Sequence, residues 1–266
     1  MVDDRLPDRK RTGTYLFVRP KSARRSRSTG AIDGLVPNGT GTPEPEPAVA
    51  AVPASAPLRY RRPRLEPGRL DGRLLFFLAP DAAATEPYRQ AATALGAAGT
   101  GRRFWVVGAG PAVGATISTA NLGAALTEFG RVTMVDASHP AAPRRLTSLF
   151  GLEEPASAFG VDHLDLWLLS DRLALKADAA VLAPTEEGRR AFGAIVSTAD
   201  FVLVDGLPAD EPEVVAAMRA VVDAVIVVLR PADLGTGCYE RTLDRLQGIP
   251  IAGVLLNGAG DPVIEI

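Results

Sequence analysis

The sequence predicts an α/β protein: a doubly wound, mainly parallel sheet with helices on both faces, preceded by a disordered basic tail. Three observations lead there. Continuous apolar runs too short for helices recur from residue 104 onward, as expected of strands buried on both faces of a parallel sheet. Segments with helical spacing lie between them, and strand–helix alternation of this kind builds a parallel sheet. The first 70 residues differ from all of this: they hold 14 Lys/Arg against 7 Asp/Glu and ten of the 22 prolines, while the remainder carries 15 against 24. A stretch so charged and proline-rich cannot bury enough apolar surface to offset its ordering entropy. Residues 1–70 are therefore expected as a disordered Arg/Pro-rich tail and 71–266 as the folded domain.

Within the domain, Leu74–Leu78 is a short apolar run, and Glu86–Leu95 reads as a helix with Pro87 in its first turn. Strands are expected at Phe104–Val107, Val132–Val135, Phe201–Val204, Ala224–Leu229 and Ile251–Leu256. Helices are expected at 115–129, with Leu122, Leu126 and Phe129 on one face, and at 211–222 and 234–247. Between 151 and 200 the pattern suggests helices at 162–174 and 185–198 and a strand at Ala179–Leu182.

Composition excludes several classes. One cysteine, Cys238, rules out a disulfide framework and a Cys-rich metal site, and two histidines, His139 and His163, give little from which to build a His-ligated one. The opening residues lack the apolar segment of a signal peptide, and no window approaches a membrane span, so a cytoplasmic protein is expected. The Arg-rich runs Arg24–Arg27 and Arg59–Arg64 are of a kind that contacts anionic lipid. Few aromatics are interleaved with them, which argues against nucleic acid as a partner. Only three of the 29 cations are lysine: Lys10, Lys21 and Lys176.

The informative segment runs from Phe104 through Gly108-Ala109-Gly110-Pro111-Ala112-Val113-Gly114-Ala115-Thr116 into a helix. A glycine turn between strand and helix presents free N–H groups and a positive dipole end to a phosphate. Read as G-x-G-x-x-x-G, with Asp136 22 residues after Gly114, it fits an NAD(P)-binding dinucleotide fold. Read from Pro111, it occupies the place of Pro-Gly-Glu-Gly-Lys-Ser/Thr in a P-loop. A turn that merely packs helix on strand is the third reading.

Other segments favour the P-loop. The chain resembles the cytoplasmic kinase domain of bacterial tyrosine kinases of capsule and exopolysaccharide assembly, which sit among the MinD/ParA-like P-loop ATPases. The resemblance covers about residues 84–260. Glu86-Pro87-Tyr88-Arg89 is similar to the Glu-x-x-Arg-x-x-Arg oligomerisation helix, and Asn121-Leu122 follows the loop as in the family. Val132–Asp136 looks like the second-strand acid motif, and Leu149-Phe150-Gly151-Leu152 like the Phe-Gly-Leu segment after it. Phe201–Asp205 resembles the Walker B strand, and Gly253–Asn257 the last strand with its base-contacting Asn. The resemblance implies ATP or ADP bound by Gly110, Pro111, Gly114, Ala115, Thr116 and Asn257. It implies Mg²⁺ at Thr116, Asp136 and Asp205, with the two acids also catalytic if the protein is active.

The departures are as specific. The P-loop lysine, which stabilises charge during phosphoryl transfer, is Ala115, and no lysine stands nearby; Arg102 and Arg103 should lie at the opposite end of the strand. The family's Gly-Glu is Ala112-Val113, the second arginine of the assembly helix is Ala92, and no C-terminal tyrosine cluster follows the last strand. These point to a non-catalytic or weakly active homologue with a regulatory or scaffolding role in polysaccharide assembly and export. Its implied partners are an inner-membrane polysaccharide copolymerase and further copies of itself. A MinD/ParA-like ATPase recruiting partners at the membrane and an NAD(P)-dependent oxidoreductase are the alternatives.

Overall fold

The computed structural model describes residues 17–18, 58–97, 102–138, 142, 144–152, 165–177 and 182–258. Its strands are β1 (Phe17–Val18), β2 (Arg59–Arg61), β3 (Arg103–Gly108), β4 (Val132–Asp136), β5 (Asp165–Leu168), β6 (Leu173–Ala177), β7 (Phe201–Asp205), β8 (Ala224–Leu229) and β9 (Ile251–Leu256). Its helices are α1 (Leu75–Leu78), α2 (Glu86–Ala97), α3 (Ala115–Leu126), α4 (Leu146–Leu149), α5 (Glu186–Thr198), α6 (Pro212–Val221) and α7 (Cys238–Arg245). Among the described residues the strands form one sheet in the order β1-β9-β8-β3-β7-β4-β6-β5-β2. It is parallel except where β1 meets β9 and β5 meets β6.

The unalternating apolar runs are explained by burial on both faces: every residue of β4, β7 and β8 is buried. Alternate side chains enter two separate layers. Phe104, Val106, Met134, Leu203 and Ile226 pack under α1 to α4, whereas Trp105, Val107, Val135, Val204 and Val227 pack under α5 to α7. Burying a side chain of this size contributes about 2 kcal/mol, so both layers are needed.

The order of strands decides between two sequence readings. In a dinucleotide fold the strand after the first glycine turn pairs with the strand before it. Here β7 lies between β3 and β4, pairing with both. The NAD(P) expectation is corrected on that ground. Because β8 and β7 flank β3, the sheet also opens a crevice at the carboxyl ends of β3 and β7.

Other expectations shift. The helix expected at 162–174 is the hairpin of β5 and β6, closed by Ser170-Asp171-Arg172, with Trp167 opposite Leu175. The turn residues and the free edge of β4 outweighed a run of leucines that fits a helix as well as a strand. The helix at 115–129 ends at Leu126; Leu122 and Leu126 are fully buried, but Phe129 lies outside it and is 43% exposed. The last helix starts only at Cys238, after Gly237 takes a φ of 74° that most residues avoid. Residues 58–70, expected in the tail, belong to the domain: β2 pairs with β5, and Leu65 and Leu70 pack on the core. Of the remaining tail, Phe17–Val18 pairs with β9, and the rest lies outside the described residues, as do His139, His163 and Ala179–Val181. Among the described residues no helix is long and apolar enough to cross a membrane.

Candidate functional site: a phosphate-loop cleft without its lysine

The glycine segment leaves the carboxyl end of β3 and is fixed at both ends. The Ala109 N–H donates to the Val228 carbonyl at 2.8 Å, which ties the loop to β8. On the far side Asn257, just past β9, donates from Nδ2 to the Val113 carbonyl at 2.6 Å. Gly114 caps α3 at φ 89°, and a Cβ there would come within 1.7 Å of that amide, so only glycine lets Asn257 reach the loop. Ala112 is the one non-glycine residue with positive φ among those described, at 53°, in the place of the family's glycine. Among the described residues, the N–H groups of Ala112, Val113 and Gly114 meet no acceptor. Free N–H groups beside a helix amino end make a concavity suited to phosphate.

Two acids end adjacent strands beside the loop, paired in register as Asp136 and Asp205. Both are fully buried, yet their surroundings differ. Asp136 Oδ1 accepts from the Ser138 N–H at 3.1 Å; Oδ2 accepts from the Thr147 N–H at 3.1 Å and the Thr147 hydroxyl at 3.2 Å. Arg145 adds an ion pair at 3.7 Å. Asp205 Oδ1 accepts from the Thr119 hydroxyl at 3.0 Å, but Oδ2 makes no hydrogen bond of acceptable geometry among the described residues. Burial pushes the Asp205 carboxyl up to about 7; the neighbouring Asp136 adds to this, and the Thr116 and Thr119 hydroxyls and the Gly206 N–H offset it in part.

The unsatisfied Oδ2 is a fit for a cation, and Thr116 lines the same cleft as Asp205. Thr116 and Asp205 thus suit Mg²⁺ shared with phosphate oxygens, which it takes with one or two protein ligands. Asp136, with both oxygens engaged, stands one step behind. When bound, the ion would neutralise phosphate charge. Gly110, Pro111, Gly114, Ala115 and Thr116 all line a cleft of about 870 Å³, with Asp205 at its floor and Asp210, Arg144, Arg241 and Arg245 around it. Among the described residues no lysine lines it; Lys176 is buried on β6. Arg103, the first residue of β3, is bound to Asp223 at the amino end of the strand, opposite the loop.

Sequence reasoning missed Arg145 and Thr147, which complete Asp136, and the arginines of the cleft. The spacing of Arg241 and Arg245, one helical turn apart in an amphipathic segment, was the available signal. The oligomerisation residues part company. Glu86 is exposed on α2, whereas Arg89 is tied within the chain to the Thr85 hydroxyl at 2.7 Å, the Pro80 carbonyl at 2.8 Å and Glu128 at 3.5 Å, with the Phe76 ring beneath it. Ala92, in the second arginine's place, is fully buried.

Fold and loop together define a phosphate-loop α/β domain. No family model and no curated protein matches the chain. Solved structures do. The BceF tyrosine kinase domain is 19% identical, with a TM-score of 0.56 over 72% of this chain and 84% of that one. The kinase domain of Escherichia coli tyrosine kinase ETK is 17% identical, with a TM-score of 0.55 over 80% and 93%. The chimerical protein CapA2B2 is 13% identical, with a TM-score of 0.59 over 78% and 96%. At these identities the likeness establishes the fold, and it is the fold of the proteins whose motifs the sequence resembles.

Proposed function

We propose that this chain is a tyrosine-kinase-like protein without effective phosphoryl transfer, a regulatory or scaffolding component of bacterial exopolysaccharide or capsule assembly and export. It works in the cytoplasm at the inner membrane, against a polysaccharide copolymerase, with its Arg-rich tail as the contact to anionic lipid. The observation that carries this reading is Ala115. The loop, its helix and Asp205 are in place, but the position of the lysine holds a methyl group, and no lysine among the described residues lines the cleft. Losing one pre-organised charge from phosphoryl transfer costs on the order of a thousandfold in rate or more. Binding depends on the loop N–H groups and survives the loss; transfer does not.

The test is transfer of the γ-phosphate of ATP to tyrosine by the purified chain with Mg²⁺. No transfer above background is expected, and rates typical of a tyrosine kinase overturn the reading. Ala115→Lys should raise transfer measurably, because the rest of the loop is already shaped. One observation favours a second reading, a nucleotide-dependent ATPase of the MinD/ParA type: the buried Oδ2 of Asp205, which makes no hydrogen bond of acceptable geometry among the described residues. Slow ATP hydrolysis, lost in Asp205→Ala, would favour it.

A further inference from the structure

Arg144, Arg241 and Arg245 line the same cleft as the glycine loop and are exposed. Among the described residues none of the three forms an ion pair with a carboxylate, unlike Arg73, Arg103 or Arg190. Arg144 feels Asp71 only through space, and Asp210, on the same rim, pairs with none of the three. Arg241 is steadied by the Cys238 sulfur, to which Nη2 donates at 3.0 Å. Arg245 follows one turn later on α7, so the two guanidinium groups share a helix face. The strands leading to these residues, β4 for Arg144 and β8 for α7, stand on opposite sides of β3 and β7. Among the described residues, three cations without a carboxylate partner thus flank a loop that has free N–H groups and no cation of its own.

The geometry points to these arginines as the replacement for the missing lysine: they hold the outer phosphates of a nucleoside di- or triphosphate whose inner phosphate rests on the loop. This rests on the nucleotide-binding part of the function proposed above. Arginine suits the task, since its planar fork meets two phosphate oxygens at once and is always charged. Reaching in from the rim, it contributes affinity without standing where a loop lysine stabilises transfer. The site is therefore built to retain a nucleotide rather than to consume it.

The experiment is calorimetric titration of the full chain with ADP, ATP and inorganic pyrophosphate, at low and high salt. The wild type should bind, more weakly as salt rises. Arg241→Gln/Arg245→Gln should lose about tenfold or more in affinity, and the Lys/Lys double variant should recover part of it. The side chains are exposed, so a thermal melt of each variant should match the parent. Unchanged affinity in the Gln variant overturns the proposal and leaves nucleotide binding standing. A wild type that binds none of the three overturns both. Pyrophosphate binding as tightly as ADP supports the arginine clamp with phosphate alone as its target; ADP binding without pyrophosphate supports it with a nucleotide as the target.

Discussion

The two ends of the parallel strands treat charge in opposite ways. At the amino end, Asp223 accepts the N–H groups of Arg102 and Arg103 at 2.7 and 2.9 Å and binds the Arg103 guanidinium. Asp200 accepts the Arg131 N–H at 2.8 Å and faces Arg102 and Arg131, each at 3.7 Å. Each of these charges has a partner that closes a strand start. At the carboxyl end, Asp205 is buried with one oxygen unsatisfied, and three arginines of the cleft lack a carboxylate partner among the described residues. Asp136, by contrast, is completed there by Thr147, Ser138 and Arg145. A buried carboxylate oxygen without a donor and three cations without a carboxylate partner among the described residues, gathered around one cleft, mark it as the place that receives a ligand of complementary charge.

The sharpest way to test this contrast is to neutralise Asp205. Its carboxyl is pushed from the ordinary 3.8 up to about 7. The native state therefore keeps a proton that the unfolded chain gives up near pH 4. This group's contribution to stability is complete below pH 4 and is lost as pH rises to 7, a loss of about 4 kcal/mol at most. Asp205→Asn imitates the protonated form and keeps the bond from Thr119. It should be more stable than the parent by up to that amount at pH 8 without divalent cations, and equal to it near pH 4, as measured by urea unfolding. Equal stability at pH 8 would mean that Asp205 is compensated and that the two ends do not differ.

The amino end predicts the reverse sign. Asp223→Ala removes an acceptor from two backbone N–H groups and leaves Arg103 without its partner. Since the pair is about one-third exposed, water recovers part of the loss, and destabilisation of about 2 kcal/mol is expected. Nucleotide affinity should not move. A loss of affinity as large as that of a cleft variant would show that the two ends are coupled through β3.

How far the sequence reached follows the same division. The five buried strands were legible because residues such as Val225–Leu229 have no polar face to mislead. The loop was legible because Gly108, Gly110 and Gly114 stand between a strand and a helix, and its missing lysine because lysine is so scarce. The β5–β6 hairpin was not, since Leu166, Trp167, Leu168 and Leu169 carry no period that separates strand from helix. The cleft arginines were hidden for another reason: a basic residue on a helix reads as solvated surface until the fold brings α7 and the segment after β4 to the same loop. Arg145 was equally silent, because its role depends on the buried acid it meets.

The smallest expected effect is the most diagnostic of the comparison. Arg103→Gln removes a cation that a carboxylate holds, so it should cost about 1 to 2 kcal/mol. Arg245→Gln removes one without a carboxylate partner among the described residues, and its stability should stay within about 0.5 kcal/mol of the parent. If nucleotide is bound across the cleft, the gap between the two variants narrows when ADP is added. The parent then gains stability by mass action with ligand concentration, and Arg245→Gln gains less, while Arg103→Gln gains as much as the parent. Melting curves with and without ADP therefore separate a side chain that maintains the fold from one that the fold holds ready for a ligand. A stability loss in Arg245→Gln equal to that of Arg103→Gln, unchanged by ADP, would make it another structural cation and remove the distinction between the two ends.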